Sequence, residues 1–362
     1  MGDNKNDQGN SDQSQNQPVQ NFGKNYANLG NRMHYLITGG AGFIGSHLAE
    51  LLHEKGHYVT ILDNLSTGRL SNLSTLANKN RFKFFKGDIL KRPDLVSAMR
   101  GADWVIHLAA VVGAQLVVDK PIESIVVNVE GTGNVLEEAA KLKNIRVMVA
   151  STSETYGMSN KVPFEEDDNR IIGPTHIRRW GYAATKIVDE FLTMGYFQEK
   201  KLPVIIARIF NTVGPRQVGT YGMVIPRLVE QALSGKPLTV YGDGSQTRCF
   251  AFVKDAVNAL SALTENEYAI GKVFNIGSTQ EISILTLAKK IKHLTGSRSR
   301  IKLVPFAKVF EKGFNDMSRR VPSVKKLIKS IGFVPETPID QILLEVIVER
   351  RRLNLNFNEA TK

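Results

Sequence analysis

Tyr182 and Lys186 stand four residues apart in Tyr182-Ala183-Ala184-Thr185-Lys186, a spacing that places a phenol and an ammonium on one face of a helix. A neighbouring cation favours phenolate, and lowering a reference pKa of about 10 by ~3 units takes roughly 4 kcal/mol of differential stabilisation. Tyr182 is therefore a candidate general base. Alone, the pattern is common on solvated helix faces. Here it follows the run Ala150-Ser151-Thr152-Ser153-Glu154-Thr155-Tyr156-Gly157, which places hydroxyls at the end of a predicted strand, where open α/β sheets bind ligands. Thr152 is a candidate to hydrogen-bond a reacting hydroxyl. Glu154 is a candidate acid–base group, or else holds a ligand hydroxyl or caps the following turn.

A second constellation lies near the start of the chain. Thr38-Gly39-Gly40-Ala41-Gly42-Phe43-Ile44-Gly45 follows a predicted strand and opens a predicted helix. Glycines at 39, 42 and 45 let the backbone turn sharply and approach a pyrophosphate at the positive end of the helix. The next strand ends in Asp63-Asn64, with Asp63 18 residues beyond Gly45. A carboxylate there accepts hydrogen bonds from ribose hydroxyls and repels a 2′-phosphate, which favours NAD over NADP. Asp88-Ile89 is placed to meet the adenine, and Leu108-Ala109-Ala110 supplies small residues beside the cofactor.

The elements that must carry these groups are legible as alternating β-branched runs and amphipathic stretches. Strands are expected at Tyr35 to Thr38, Tyr58 to Asp63, Phe82 to Lys86, Trp104 to Ala109, Arg146 to Ser151 and Val204 to Phe210. Helices are expected at Ile44 to Lys55, Val127 to Leu142, Trp180 to Glu199, Val224 to Leu233, Asp255 to Leu263 and Ile284 to Leu294. The pattern predicts an α/β fold: a Rossmann-type doubly wound parallel sheet with a smaller, partly interleaved C-terminal substrate domain. The expected division is a polar, unordered tail over 1–30, an NAD-binding domain over 31–210 to which part of 236–275 returns, and a second domain mainly over 211–355. The tail holds seven Asn and five Gln, too polar to offset the entropy of ordering.

Composition excludes several classes. A chain of 362 residues with 42% hydrophobic and 23% charged residues is neither fibrous nor wholly disordered. No apolar run reaches bilayer length and no secretory signal is visible, so a soluble cytoplasmic protein without a membrane partner is expected. The single cysteine, Cys249, lies in an apolar run and reads as core; neither it nor the seven histidines shows metal-ligand spacing. The formal charge is +12, and residues 289 to 362 hold 17 Lys and Arg against 7 Asp and Glu. Without aromatic interleaving, Arg350-Arg351-Arg352 reads as a solvated face and no nucleic-acid partner is expected.

From Tyr35 to Leu353 the chain resembles the extended short-chain dehydrogenase/reductase family of nucleotide-sugar epimerases, dehydratases and decarboxylases. That resemblance implies that Gly39, Gly42, Gly45 and Asp63 hold NAD and that Thr152, Tyr182 and Lys186 form the catalytic trio. It implies that Asn211 contacts the sugar nucleotide, that Arg248, in the motif opened by Tyr241, binds its diphosphate, and that Arg320 lies beside a substrate carboxylate. It also implies a homodimer formed through the two longest helices. The shared chemistry is oxidation at C4 of the sugar to a 4-ketone. Trp180-Gly181-Tyr182 and the loop Gly214 to Gly222 resemble epimerase-type members, so a 4-epimerase of a UDP-hexose is the leading expectation. Thr152-Ser153-Glu154 and Arg320-Val321-Pro322-Ser323 resemble UDP-glucuronate decarboxylases, the first alternative, ahead of a 4,6-dehydratase. An NAD-sensing protein without catalysis would not need the Tyr182–Lys186 pair.

Overall fold

The expected strands form, with ends shifted by a residue or two: β1 His34–Thr38, β2 Tyr58–Asp63, β3 Phe82–Lys86, β4 Trp104–His107, β5 Arg146–Thr152 and β6 Val204–Ile209. The computed structural model describes residues 32–112, 119–219, 223–309 and 317–360, so the tail expected over residues 1 to 30 lies outside the described residues. Further strands are β7 Thr212–Val213, β8 Leu238–Tyr241, β9 Thr247–Cys249, β10 Ala251–Phe252, β11 Lys272–Ile276, β12 Glu281–Ser283 and β13 Ile301–Val304. The helices are α1 Phe43–Glu54, α2 Arg92–Ala98, α3 Pro121–Ala140, α4 Trp180–Lys200, α5 Val224–Leu233, α6 Val253–Thr264, α7 Ile284–Thr295, α8 Lys325–Ile331 and α9 Ile339–Ala360.

β4 stops two residues short of its expected end. The Leu108 N–H still donates to the Thr38 carbonyl at 3.1 Å, but the Ala109 N–H turns to the Thr38 hydroxyl at 3.3 Å instead of to a strand carbonyl, and the pairing ends there. α3 begins six residues early because Pro121 sits in its first turn, where a fixed φ and a missing N–H cost nothing. α9 was not expected, since Arg350, Arg351 and Arg352 mask its stripe. Ile342, Leu343, Val346 and Ile347 are nonetheless all buried on one face.

Seven strands form one parallel sheet in the order β11-β6-β5-β4-β1-β2-β3. Side chains alternate between its faces. Tyr35 and Ile37 of β1 join a cluster with Leu48 and Leu52 of α1, Leu260 of α6 and Leu343 of α9. Leu36 points the other way, to Val135 and Leu136 of α3 and Val147 and Val149 of β5. Strands buried on both faces explain the near-continuous apolar runs. Strand order reverses between β1 and β4, so the loops leaving these two neighbours diverge and open a crevice. Among the described residues no helix is long and apolar enough to cross a membrane.

Candidate functional site

Gly39 leaves β1 with φ +71°, and a Cβ there would lie 2.8 Å from the Ala109 backbone across the crevice. A Cβ on Gly45 would come within 2.4 Å of the Gly39 carbonyl oxygen. The first glycine thus permits the turn and the close approach of the β4 loop; the last lets α1 sit against its own entry. Gly42, Phe43 and Ile44 open α1, so its unpaired N–H groups face the crevice. Asp63 closes the arrangement. Its Oδ2 accepts from Ala41 N at 2.9 Å and its Oδ1 from Leu65 N at 2.8 Å, so it braces the glycine turn besides standing where a ribose would lie. Burial pushes its pKa up and the two backbone donors pull it down.

Asp88 is committed to local structure: Oδ1 accepts from Leu90 N at 2.9 Å, and Oδ2 from Asn64 Nδ2 at 3.1 Å. Ile89 is buried against Gly131 of α3. A dinucleotide with its pyrophosphate at the start of α1, its ribose by Asp63 and its adenine by Asp88 fits this cradle.

The chemistry-bearing corner is built where β5 meets α4. Thr152 ends β5, and its Oγ1 accepts from Glu154 N at 3.3 Å, which tightens the short turn Ser153–Tyr156. From α4, Tyr182 hydrogen-bonds the Thr152 side chain. Lys186 lies on the same face, but its ammonium is spoken for: Nζ donates to Asp189 Oδ2 at 3.0 Å, the two side chains being 3% and 0% exposed. Lys186, expected to favour phenolate together with the positive nicotinamide ring, is thus paired with Asp189 in the chain by itself. Desolvation, then the negative charges of Glu154 and Asp189, push the Tyr182 pKa up, and Thr152 pulls it down only in part. The sequence held a signal for Asp189, because i and i+3 share a helical face.

Arg179 was missed as well. It precedes α4, where a cation opposes the helix dipole, and such a misplaced charge marks a residue with another task. Its Nη2 donates to Glu154 Oε2 at 3.0 Å while Arg320 Nη1 meets Glu154 Oε1 at 2.6 Å. Two buried guanidinium groups thus converge on one carboxylate beside Tyr182.

A buried lattice sets these groups. Arg208 of β6 pairs with Glu190 of α4 through Nε at 2.7 Å and Nη2 at 2.6 Å, and its Nη1 donates to Tyr156 OH at 3.0 Å. Ser151 Oγ donates to Glu190 at 2.5 Å, and Tyr156 OH to Asn275 Oδ1 at 2.6 Å. The Asn275 amide reaches the carbonyls of Phe164 at 2.9 Å and Ser323 at 3.2 Å. Phe164 N in turn donates to Val321 O at 2.8 Å. One network thus fixes the strand carrying Thr152, the helix carrying Tyr182 and the segment carrying Arg320.

Asn211 and Arg248 form a separate group. Asn211 Nδ2 donates to Cys249 O at 3.3 Å, and Arg248 Nη1 to Thr247 O at 2.7 Å. Arg248 is buried. Cys249 is buried too, and burial pushes its thiol up to about 12, so it is core rather than nucleophile. Tyr241 ends β8 with Arg227 4.3 Å from its ring centre. Among the described residues no three His, Cys, Asp or Glu side chains are placed to hold a metal ion.

His107 ends β4 and is buried. Nδ1 is 2.7 Å from Thr38 Oγ1 and Nε2 3.1 Å from Thr132 Oγ1. Burial first, then the Lys186 charge, lower its pKa from 6.5 to about 3. The unfolded chain therefore takes up a proton that the folded chain refuses. Stability contributed here is complete above about pH 6.5 and is lost as pH falls through about 3, by roughly 3 kcal/mol at pH 4. Urea unfolding at pH 7 and pH 4 is expected to show a smaller acid loss in His107→Asn than in the parent; equal losses would contradict this account.

A family model described as GDP-mannose 4,6 dehydratase matches residues 36–346. The chain is 45% identical over 313 residues to a UDP-N-acetyl-alpha-D-glucosaminuronate decarboxylase of Bacillus cytotoxicus, covering 86% of this chain and 96% of that one. It is 37% identical to UDP-glucuronic acid decarboxylase 1 of Danio rerio, over 87% of this chain and 72% of the relative. The structure of UDP-glucuronic acid 4-epimerase from Bacillus cereus with UDP-glucuronic acid and NAD is similar at TM-score 0.79 and 29% identity, covering 89% of this chain and all of that one (100%).

Proposed function

The chain belongs to the extended short-chain dehydrogenase/reductase family of nucleotide-sugar epimerases, dehydratases and decarboxylases, and from that premise we propose that it is an NAD-dependent decarboxylase of a UDP-linked uronic acid. The observation that carries this reading is the meeting of Arg179 and Arg320 on Glu154 beside Tyr182. Arginine forks match carboxylates in pairs of hydrogen bonds, so a wall that already seats one carboxylate offers suitable donors to the carboxylate of a uronic acid. The relatives named as uronate decarboxylases support this alternative over the 4-epimerase of a UDP-hexose.

The residues divide the work. Gly39, Gly42 and Gly45 admit the NAD pyrophosphate, and Asp63 meets its adenosine ribose. NAD supplies a reversible hydride acceptor. Thr152 orients the sugar 4-hydroxyl and Tyr182 takes its proton. The resulting 4-ketone is β to the carboxylate, so the C5–carboxyl bond breaks and its electron pair passes into the enolate as CO2 leaves; C5 then takes a proton from solvent water, which restores the 4-ketone. Tyr182 is placed to hold the 4-hydroxyl proton until hydride returns. Asn211 and Arg248 take the nucleotide diphosphate. The division into an NAD-binding domain over 31–210 and a substrate domain mainly over 211–355 is part of this proposal.

Incubation with UDP-N-acetylglucosaminuronate and UDP-glucuronate, followed by NMR, tests the reading. Release of CO2 and a nucleotide lacking C6 is expected. A second reading, uronate 4-epimerisation, draws on the similar 4-epimerase structure, and a galacto-configured uronate with no CO2 would establish it. Turnover of UDP-glucose alone would contradict both.

We also propose a homodimer through α3 and α4. Ile122 and Phe191 are each 78% exposed, with Ile125, Val126 and Val188 exposed beside them on the same two helices. Apolar groups concentrated on adjoining helices suit a self-complementary contact. Light scattering is expected to give about twice the chain mass, and Phe191→Asp to give a monomer; a monomeric parent would refute the contact.

A further inference from the structure

Side chains from two separated helices, α1 and α9, converge on the turn Pro215-Arg216-Gln217. Arg216 has φ +69°, a left-handed conformation that residues with a Cβ resist and hold only where the surroundings over-determine it. From α9, Glu349 Oε1 accepts from Arg216 N at 2.6 Å. From α1, Glu50 Oε1 accepts from Arg216 Nη2 at 2.7 Å, and His47 Nε2 stands 3.1 Å from the Pro215 carbonyl. Arg350 donates to the Gln217 carbonyl, and Gln217 Nε2 donates to the Thr212 carbonyl at 3.0 Å. The turn is thereby tied on one side to the helix that opens at the glycine cradle. On the other it is tied to the residue following Asn211.

This cluster is a poor device for stability alone. Arg216 Nη1 and Glu349 Oε2 are buried with no hydrogen-bond partner among the described residues, and buried polar atoms left so are costly. What the cluster does fix is a path: Gln217 holds Thr212, β7 pairs with β10 through Thr212 and Ala251, and Asn211 reaches Cys249 O beside Arg248.

We infer that Glu349, with Glu50, is a positioning residue for nucleotide-sugar binding: from outside the site it holds the 215–217 turn and so sets where Asn211 meets the substrate. The inference rests on the reading of Asn211 and Arg248 as substrate contacts, and its test separates the two. The NAD-loaded full chain is titrated calorimetrically with UDP, and KM and kcat are measured with the uronate that turns over.

Glu349→Ala is expected to weaken UDP binding by about tenfold and raise KM in step, as loss of a charge-assisted hydrogen bond implies. Bound NAD stays unchanged and kcat within about twofold. Glu349→Gln keeps an oxygen acceptor for Arg216 N, should fold like the parent, and is expected to stay within about threefold of its UDP affinity. A lower melting temperature with UDP affinity unchanged in Glu349→Ala would overturn the positioning role. Failure of the parent to bind UDP would instead overturn the reading beneath it, and the inference with it.

Discussion

Tyr182→Phe is expected to retain NAD and lose at least about a thousandfold in turnover, near the upper range for removal of a general base. The ring keeps its shape and the hydrogen bond to Thr152 disappears, so the fold should survive. Desolvation, Glu154 and Asp189 all hold the phenolic proton on in the chain by itself, while Lys186 is paired with Asp189 at 3.0 Å. The remaining source of acidity is positive charge brought to the site at binding, and the oxidised nicotinamide carries one. Absorbance at 340 nm during a single turnover reports hydride transfer directly. In the parent it should rise and fall within the turnover; in Tyr182→Phe it should stay flat. A variant within about tenfold of the parent would show that another group takes the proton.

The reach of sequence reading follows from how far apart the interacting residues lie. The glycine turn was legible because strand, turn, helix and Asp63 are neighbours along the chain and each obeys a local rule of sterics or dipole. The Tyr182–Lys186 spacing was legible for the same reason. Asp189 obeys that rule too, yet it went unread, because a carboxylate on an amphipathic helix looks like an ordinary solvated charge until burial is known. Arg179 announced itself only as a cation at the wrong end of a helix.

The segment carrying Arg320 is held through Phe164, Asn275 and Ser323, which sit more than a hundred residues apart at the extremes, and no local rule joins them. Likewise α9 was hidden by its arginines. Its bond to Arg216 spans 133 positions, beyond what periodicity can show. The apolar alternation that built the sheet needed no such help, since burial on both faces stamps itself on every strand.

Arg320→Met is expected to weaken binding of the UDP-uronate by roughly 30-fold or more, the range for truncating one member of a buried, hydrogen-bonded charge pair. UDP itself, which carries no sugar carboxylate, should bind as before. The single variant leaves an ambiguity, since Arg320 also meets Glu154 at 2.6 Å, and a loss could come from a displaced Glu154. A double-mutant cycle resolves it. If Arg320 served only to hold Glu154, then in a Glu154→Gln background Arg320→Met would add nothing. If it grips the sugar carboxylate, most of the loss persists there. Arg320→Lys should recover little, because a point charge on a flexible stem cannot present two parallel N–H groups. Affinities measured by calorimetry for the uronate, for UDP-glucose and for UDP across the four chains decide the matter. Equal losses for the neutral and the acidic sugar would remove the carboxylate from the account and with it the case for a uronic acid.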